Sequence, residues 1–482
     1  MWHRDAGSRH AVCVAAVLAA LGSLPAKAQS LDEALAAAYT NNPSLNSQRA
    51  ATRATDEYVP IALSSYRPQI FASADAGVTW LENKGPITAF RTVPITPDNP
   101  DGLQQVRFRG VSQSTLKPYG AGVTISQTLY DGLRTANSVR GAESQVKGQR
   151  ELLRNTEQLV LLDAVTAYMN VLQNSALLEL QRQNLEALQE ELRSTRDRFA
   201  VGEVTRTDVA QAEASVANAQ SELALAESNL NSARATFYRV IGLQPKKLAP
   251  GRPIDKLLPK VLDAAVQSGI TQHPAVKAAM FAVDQAMANV KVAEGALQPT
   301  LSLNGQVSQD YNVSPNVDRQ STAAVALNLS VPIYQGGGEY ATIRQAKETL
   351  GQFRMEVDVN RDQVRANVVQ FWGALEAAKA AIESAQASVA ANEIALKGVR
   401  EEWRVGQRTT LDVLNAQTAL FNARASLVIA QRDRVVASYG VLSASGKLSA
   451  VNLGLKVAVY NPKVHYDQVR DAWIGVRTPD GK

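Results

Sequence analysis

The 482-residue sequence predicts an α+β protein made of two tandem repeats, each a helix, two strands and two long helices. The segment FAVGEVTRTDV, which begins at Phe199, returns as WRVGQRTTLDV from Trp403, so that Gly202 corresponds to Gly406 at an offset of 204 residues. Both copies also carry two segments of alternating polarity ahead of a long run without proline. A repeat of this kind sets the fold, because each copy is expected to form the same unit.

The chain opens with the features of a secretory signal peptide. Arg4 and Arg9 precede an apolar run that ends before Ala26-Lys27-Ala28, a small-residue pattern typical of a cleavage site. This run is shorter than the roughly 20 residues that a membrane-spanning helix needs. The alternative is a buried N-terminal helix. We expect residues 1–28 to be cleaved and the mature chain to be exported.

The composition of the mature chain argues against an enzyme. Cys13, the only cysteine, leaves with the signal, and only His273 and His465 of the four histidines lie beyond it. We therefore expect no catalytic residues, no metal site and no cofactor. The formal charge of the full sequence, +5, falls to about +3 without the signal and forms no basic stripe, so nucleic acid is not an expected partner either.

Two strands are predicted in each repeat, at about 68–82 and 119–130, and at about 299–311 and 322–334. Each has one apolar and one polar face, which fits either a sandwich with a wet side or a barrel with lipid outside and water inside. Four strands are too few to close a transmembrane barrel, which needs about eight. A barrel would therefore have to be shared between copies of the chain.

A long loop is predicted between the two strands of the first repeat, over residues 83–118. It is rich in proline, and its counterpart near residues 312–321 is short. The prolines of this first segment are Pro86, Pro94, Pro97, Pro100 and Pro118.

Each repeat ends in two long helices, predicted at about 134–199 and 208–241, and at about 339–403 and 412–445. A run of about 65 residues gives a helix of roughly 100 Å. Apolar residues recur every seven positions, which favours coiled-coil-like packing. On the helices alone, a soluble coiled-coil scaffold remains an alternative.

These elements divide the chain into four parts after the signal. The first repeat is expected at 29–242 and the second at 263–446. A Pro-rich linker at 243–262 joins them, and a C-terminal segment at 447–482 follows.

The order of several motifs resembles the TolC-like outer membrane factor family over essentially the whole mature chain. The motifs are the duplicated VG-x4-TDV and VG-x5-DVL turns, PQI and PTL at the first strand of each repeat, and LYDG and IYQGGG before each long helix. The resemblance implies a homotrimer that pools its strands into a 12-stranded outer-membrane β-barrel and its helices into a 12-helix periplasmic tunnel. Segment 447–482 would then lie at the equator of the tunnel.

The resemblance also implies partners and a cargo route. The tunnel would dock onto a periplasmic adaptor protein and an inner-membrane RND or ABC transporter, with outer-membrane lipid around the barrel. We therefore expect an outer-membrane exit duct with a long periplasmic portion, which carries small toxic compounds or drugs and also proteins. The alternatives are a dedicated type I protein-secretion component and, more remotely, a periplasmic coiled-coil scaffold.

At the turns between the long helices, the resemblance implies a gate. Asp412 falls on an acidic residue that rings the narrowed entrance, and Asn415 stands where a second such acid is expected. Trp403 stands where the best-known form of the family has tyrosine. Arg408 falls on an arginine that bonds to the neighbouring first turn, with Thr207 and Asp208 on its acceptors. The alternative role for Asp208 and Asp412 is capping of the following helix.

Two further groups complete the candidate residues. Val201, Gly202, Val405 and Gly406 would form the helix tips that contact the adaptor, with the glycines making the sharp reversal. The aromatic residues Trp80, Tyr119 and Tyr130 are predicted to lie at the membrane interface; the alternative is packing between strands.

Overall fold

The computed structural model describes residues 28–479 and 481, so the predicted signal peptide, apart from Ala28, lies outside the described residues. The described chain forms two compact units. One contains the chain up to Glu57, Ser144–Asp284 and the chain from Gly351 onward. The other contains Tyr58–Glu143 and Gln285–Leu350.

The described residues form helices of very unequal length. Two of them, α4 and α8, have 67 residues each. The α-helices are α1 Leu31–Asn41, α2 Pro43–Asp56, α3 Tyr58–Leu63, α4 Arg134–Ala200, α5 Arg206–Ile241, α6 Leu262–Gln272, α7 Pro274–Gly295, α8 Gly338–Arg404, α9 Thr410–Ala444 and α10 Pro462–Val469. Short 3-10 helices lie at Ser64–Tyr66 and Asp255–Leu257. No helix among the described residues is long and apolar enough to cross a membrane.

The helical unit has a core of aromatic and aliphatic side chains. Tyr168 of α4, Phe237 of α5 and Leu442 of α9 are among the fully buried residues. The Tyr168 hydroxyl lies 2.8 Å from the Gln29 carbonyl oxygen and 2.6 Å from that of Ala249. Since burial raises the pKa of Tyr168 to about 12, this hydroxyl stays a donor at any physiological pH. Part of the predicted linker is therefore bound to the core.

The C-terminal segment is fastened to α2 by a buried polar cluster. Asp56 is fully buried and its carboxylate lies 3.0 Å from His465 Nδ1 and 3.7 Å from the Arg150 guanidinium. The Arg150 guanidinium also lies 5.0 Å from the ring centroid of Tyr466. A buried carboxylate is costly unless it is paired, so this cluster fixes α10 against α2.

The second unit contains an antiparallel four-stranded sheet in the order β1-β4-β5-β6. Its strands form continuous rows across the sheet, for example Ile70 opposite Ile125, Ile125 opposite Gly305, and Gly305 opposite Val325. The strands of this unit are β1 Gln69–Ala76, β2 Thr79–Thr92, β3 Leu103–Leu116, β4 Tyr119–Tyr130, β5 Thr300–Ser314 and β6 Val317–Ser330.

The predicted Pro-rich loop at 83–118 is wrong, because most of it is a β-hairpin. Strands β2 and β3 pair only with each other, and the predicted strand at 68–82 is divided at Gly77-Val78 between β1 and β2. Pro86 lies within β2, opposite Arg109. A two-stranded sheet tolerates this proline, because each strand leaves one side unpaired and proline lacks only its N–H group. The other prolines lie outside the two strands.

The second repeat also differs from the prediction at its strand ends. The hairpin of β5 and β6 turns between Ser314 and Val317, so the predicted loop at 312–321 is shorter than expected. Strand β6 ends at Ser330 rather than near residue 334. It ends early because Pro332 has no N–H group to donate to a neighbouring strand.

Candidate functional site

The first turn between long helices is closed by two backbone hydrogen bonds at the end of α4. Gly202 N–H donates to Phe199 O at 3.0 Å, and Glu203 N–H donates to Arg198 O at 2.9 Å. Gly202 has φ +81°, a left-handed conformation that glycine adopts without steric cost. This pair of bonds is a Schellman motif, which satisfies the last carbonyl groups of the helix.

The second turn repeats this geometry at the end of α8. Gly406 N–H donates to Trp403 O at 3.0 Å, and Gln407 N–H donates to Glu402 O at 2.9 Å. The φ angle of Gly406 is +78°. The predicted sharp reversals at the two glycines are therefore built by identical bonds 204 residues apart.

Reciprocal caps start the returning helices. At α5, Thr205 N–H and its hydroxyl donate to Asp208 Oδ2 at 2.8 and 2.7 Å, while Asp208 N–H donates to the hydroxyl at 3.3 Å. At α9, Thr409 and Asp412 make the same three bonds at 3.0, 2.8 and 3.2 Å. The capping role is thus present in both aspartates. It also explains why both helices start two residues earlier than predicted, since threonine is the N-cap.

Capping keeps Asp412 ionised. Hydrogen bonds from the Thr409 N–H and hydroxyl, together with the charge of Arg408, hold the pKa of the Asp412 carboxyl below its ordinary value. Only Oδ2 takes part in the cap, so the charge also acts on whatever lies beyond the helix end. Asn415 lies three residues further along α9 and is exposed.

Arg408 is held by its own turn. Its Nε atom lies 2.8 Å from Glu402 Oε2. Within the described part of this chain, no hydrogen bond joins Arg408 to Thr207 or Asp208, and Thr207 is exposed. The carboxylate that pairs with Arg408 in the single chain is therefore that of Glu402, in the same turn.

Trp403 contacts the first turn through a residue that the sequence reasoning missed. The ring is only 7% exposed, and the Arg198 guanidinium lies 4.0 Å from its centroid. Arg198 also donates to the carbonyl oxygens of Trp403 and Arg404. The only sequence signal is the repeat register, in which Arg198 corresponds to Glu402.

The apolar tips project into solvent. Val201 is 72% exposed and Val405 is 71% exposed, next to the two turn glycines. Two apolar side chains held outward at equivalent positions are available for contact with another protein.

Two of the three predicted interface aromatics lie in the four-stranded sheet, and the third lies in the hairpin of β2 and β3. Tyr119 and Tyr130 lie at opposite ends of β4, and a bulge places Tyr130 opposite Leu301. Tyr119 stacks on Tyr311 of β5 with ring centroids 4.8 Å apart. Trp80 lies on β2, outside the four-stranded sheet, and is exposed.

The two histidines beyond the signal make separate contacts. His465 pairs with Asp56 in the buried cluster, and His273 Nδ1 accepts a hydrogen bond from Ala275 N–H at the start of α7. In residues 28–479 and 481, no group of three or more His, Cys, Asp or Glu side chains is arranged to hold a metal ion.

Comparison with known proteins gives one consistent family. The model of the outer membrane efflux protein family matches residues 34–243 and 265–447. The outer membrane efflux protein BepC of Brucella suis is 43% identical over 458 residues, which cover 95% of this chain and 94% of BepC.

More distant relatives include the outer membrane protein TolC of Vibrio cholerae, 26% identical over 92% of this chain and 98% of that protein. The alkaline protease secretion protein AprF of Pseudomonas aeruginosa is 24% identical over 70% of this chain and 72% of its own. Among solved structures, the CmeC outer membrane channel of Campylobacter jejuni has a TM-score of 0.72 at 17% identity, covering 92% of this chain and 89% of that one. At this level of identity, the likeness shows a shared fold alone.

Proposed function

Because this chain belongs to the outer membrane efflux protein family, we propose that three copies of it form an exit duct through the cell outer membrane. Family membership confirms the resemblance indicated by the sequence motifs. It makes the chain an outer membrane export channel with a long periplasmic portion.

The observation that carries this proposal is the exposed apolar face of the four-stranded sheet. Side chains on that face are bare in the single chain: Leu327 is 61% exposed, and Ile70 and Val325 are comparably open. Large apolar side chains that are exposed together on one face need to be covered, and lipid covers them around a barrel. Strands β1 and β6 are the two edges of the sheet, and each has one unpaired side. Pairing β6 of one copy with β1 of the next removes both edges.

Three copies then give 12 strands and 12 long helices, from α4, α5, α8 and α9 of each chain. In this proposal residues 29–242 and 263–446 are the two repeats, joined by the linker at 243–262, and the segment at 447–482 lies at the equator of the tunnel. The identical turns after α4 and α8 support a duplication. The tunnel crosses the periplasm to a periplasmic adaptor and an inner-membrane RND or ABC transporter.

The gate is proposed at the second turn. Three copies of Asp412 ring the opening, and in each copy the hydrogen bonds from Thr409 favour the charged form by lowering the pKa of the carboxyl. Asn415 in place of a second acid leaves one ring of charge, which favours cations less strongly than two rings would. Arg408, Trp403, Thr207 and Asp208 would hold the neighbouring turns together in the trimer.

The helix tips of the duct contact the adaptor, and the strand ends lie at the boundaries of the membrane. The exposed valines Val201 and Val405, beside Gly202 and Gly406, contact the adaptor. Tyr119 and Tyr130 mark the two membrane boundaries from opposite ends of β4, since tyrosine prefers the interface between lipid and water. Trp80 would lie beyond them on the hairpin.

The cargo is proposed to be small toxic compounds, with protein secretion as the second candidate because AprF is a secretion protein. The test is deletion of the gene, followed by drug susceptibility and the profile of secreted proteins. Hypersensitivity that the wild-type gene reverses, with unchanged secreted proteins, supports efflux and rules out a dedicated secretion role. Loss of particular secreted proteins without hypersensitivity reverses that conclusion.

A further inference from the structure

Arg198, near the end of α4, is in contact with both turns of the chain. Its Nε atom lies 3.5 Å from Glu203 Oε2 in the first turn. Its terminal nitrogens donate to Trp403 O at 3.4 Å and Arg404 O at 3.3 Å, at the end of α8. The guanidinium carbon lies 4.0 Å from the Trp403 ring centroid.

These contacts suit the chemistry of arginine. The carbonyl groups at the C-terminus of α8 carry partial negative charge, so a cation is stabilised there. A planar guanidinium can stack on an indole while its N–H groups reach nearby acceptors, which lysine cannot do as well. The Trp403 ring is buried, and cation–π attraction is stronger at a desolvated site than at an exposed one.

Two other arginines near the turns pair within one helical hairpin, meaning α4 with α5 or α8 with α9. Arg408 pairs with Glu402, two residues from the end of the same α8. Arg196 pairs with Glu213 at 2.6 Å, from α4 to the returning helix α5. Both of these pairs are well exposed, and exposed pairs contribute little. Arg198 is different because it joins the first hairpin to the second.

The two repeats make this contact in one direction only. In the register of the repeat, Arg198 corresponds to Glu402 and Phe199 to Trp403. The second hairpin therefore offers a carboxylate and an indole where the first offers a cation and a phenyl ring. One contact of this kind forms per chain.

We propose that Arg198 is a positioning residue that clamps the end of α8 to the end of α4 and so sets the resting place of the second turn. That turn is closed by its own backbone bonds and by the cap on α9, so it carries Asp412 with it. The clamp thereby fixes the width of the proposed opening. This inference depends on the gate put forward under the proposed function.

The test is single-channel recording of purified trimers in planar bilayers. Arg198→Ala is expected to raise the resting conductance several-fold, because the second turn is released. Arg198→Lys keeps the charge and should raise it less. Arg196→Ala, on the same helix, is the matched control and should conduct like the wild type.

A coupling measurement separates the clamp from general loss of structure. Trp403→Leu keeps an apolar side chain and removes the ring, but it leaves the bonds from Arg198 to the carbonyl groups of α8, so it should open the channel part of the way. The double variant should conduct like Arg198→Ala, since the ring contributes to the clamp only through Arg198. Independent, additive increases would overturn the clamp. If Arg198→Ala does not assemble, Arg198→Lys and Trp403→Leu carry the same test.

Asp412→Asn in the same bilayers distinguishes the clamp from the gate. If it weakens cation block while Arg198→Ala conducts like the wild type, the clamp is wrong and the gate stands. If Asp412→Asn is blocked like the wild type, the proposed gate is wrong, and the clamp falls with it.

Discussion

At the scale of single residues, Asp412 has a counterpart that makes its charge testable. Asp208 caps α5 with the same three bonds, but it lies in the first turn. Asp412→Asn is expected to reduce block of the single-channel current by divalent cations several-fold, whereas Asp208→Asn removes the same cap and a proposed contact between turns but no charge of the ring, so it should reduce block much less. Equal effects of the two substitutions would show that capping, and not the ring of charge, is what matters.

The pH dependence of that block follows from the direction of the pKa shift. Because the pKa of the folded Asp412 carboxyl is lowered, the charge persists below the ordinary aspartate pKa of about 4. Block should therefore be unchanged from pH 7 to pH 5, and the cap on α9 should weaken only as pH falls through the lowered pKa. A block that titrates near neutrality would point to another group.

The turn glycines allow a second comparison. Gly406→Ala should destabilise the protein by about 1–2 kcal/mol, because alanine at φ +78° meets the steric penalty of the left-handed region. Gly351→Ala is the control: it lies inside α8 with open space around it, and removing a helical glycine should stabilise by about 0.5–1 kcal/mol. The thermal midpoint of the helical circular dichroism signal should fall in the first variant and rise in the second.

The sequence shows part of this site and hides the rest. A threonine three residues before an aspartate at the start of a helical pattern is a local signal, so the caps can be anticipated from the sequence. The contact between Arg198 and Trp403 joins residues 205 positions apart and depends on how two hairpins pack. No periodicity or motif in the sequence predicts a contact between residues so far apart. The pairing of Arg408 with Glu402 is likewise seen only in the three-dimensional structure.

At the scale of elements, the long helices and the first hairpin mark what patterns can and cannot reveal. Residues 134–199 lack proline and repeat apolar side chains in sevens, and the structure has a helix over Arg134–Ala200. For residues 83–118, composition misled the prediction, because prolines gather in the connection between β2 and β3 while Pro86 is tolerated in a two-stranded sheet. Periodicity predicted the long helices correctly, whereas the number of prolines misled at the hairpin.

The hairpin of β2 and β3 should be dispensable for assembly. Strands β2 and β3 pair with no strand of the four-stranded sheet. Just before the hairpin begins, Gly77 N–H donates a hydrogen bond to Pro118 O, which already brings the two ends of the hairpin together. Replacing residues 79–116 by Asn-Gly, a turn that suits a two-residue hairpin, should leave trimer yield and drug resistance close to wild type. The short turn of β5 and β6 is the precedent within the chain. Loss of the trimer would show that the hairpin takes part in assembly.

At the scale of the whole molecule, the proposal that lipid covers one face of the sheet can be tested with adjacent residues of β6. Leu327 lies on the apolar face opposite Leu303, and Asn328 lies on the other face opposite Ser302. Leu327→Arg should impair stable insertion, since an arginine facing lipid costs about 2–4 kcal/mol at the middle of the membrane and less towards its boundaries, and a trimer would carry three. In the proposed barrel, Asn328→Arg would face the water-filled interior and should be accepted.

Trimers on unheated detergent gels, and resistance of the protein to urea extraction from membranes, are the measurements for both variants. The wild type and Asn328→Arg should migrate as a trimer that heating converts to monomer, while Leu327→Arg should give monomer or extractable protein. If both arginine variants assembled equally well, neither face of β6 would contact lipid, and the exposed apolar side chains of the single chain would need a protein cover instead. The barrel would then be the wrong assembly, even though the family and its export role would stand.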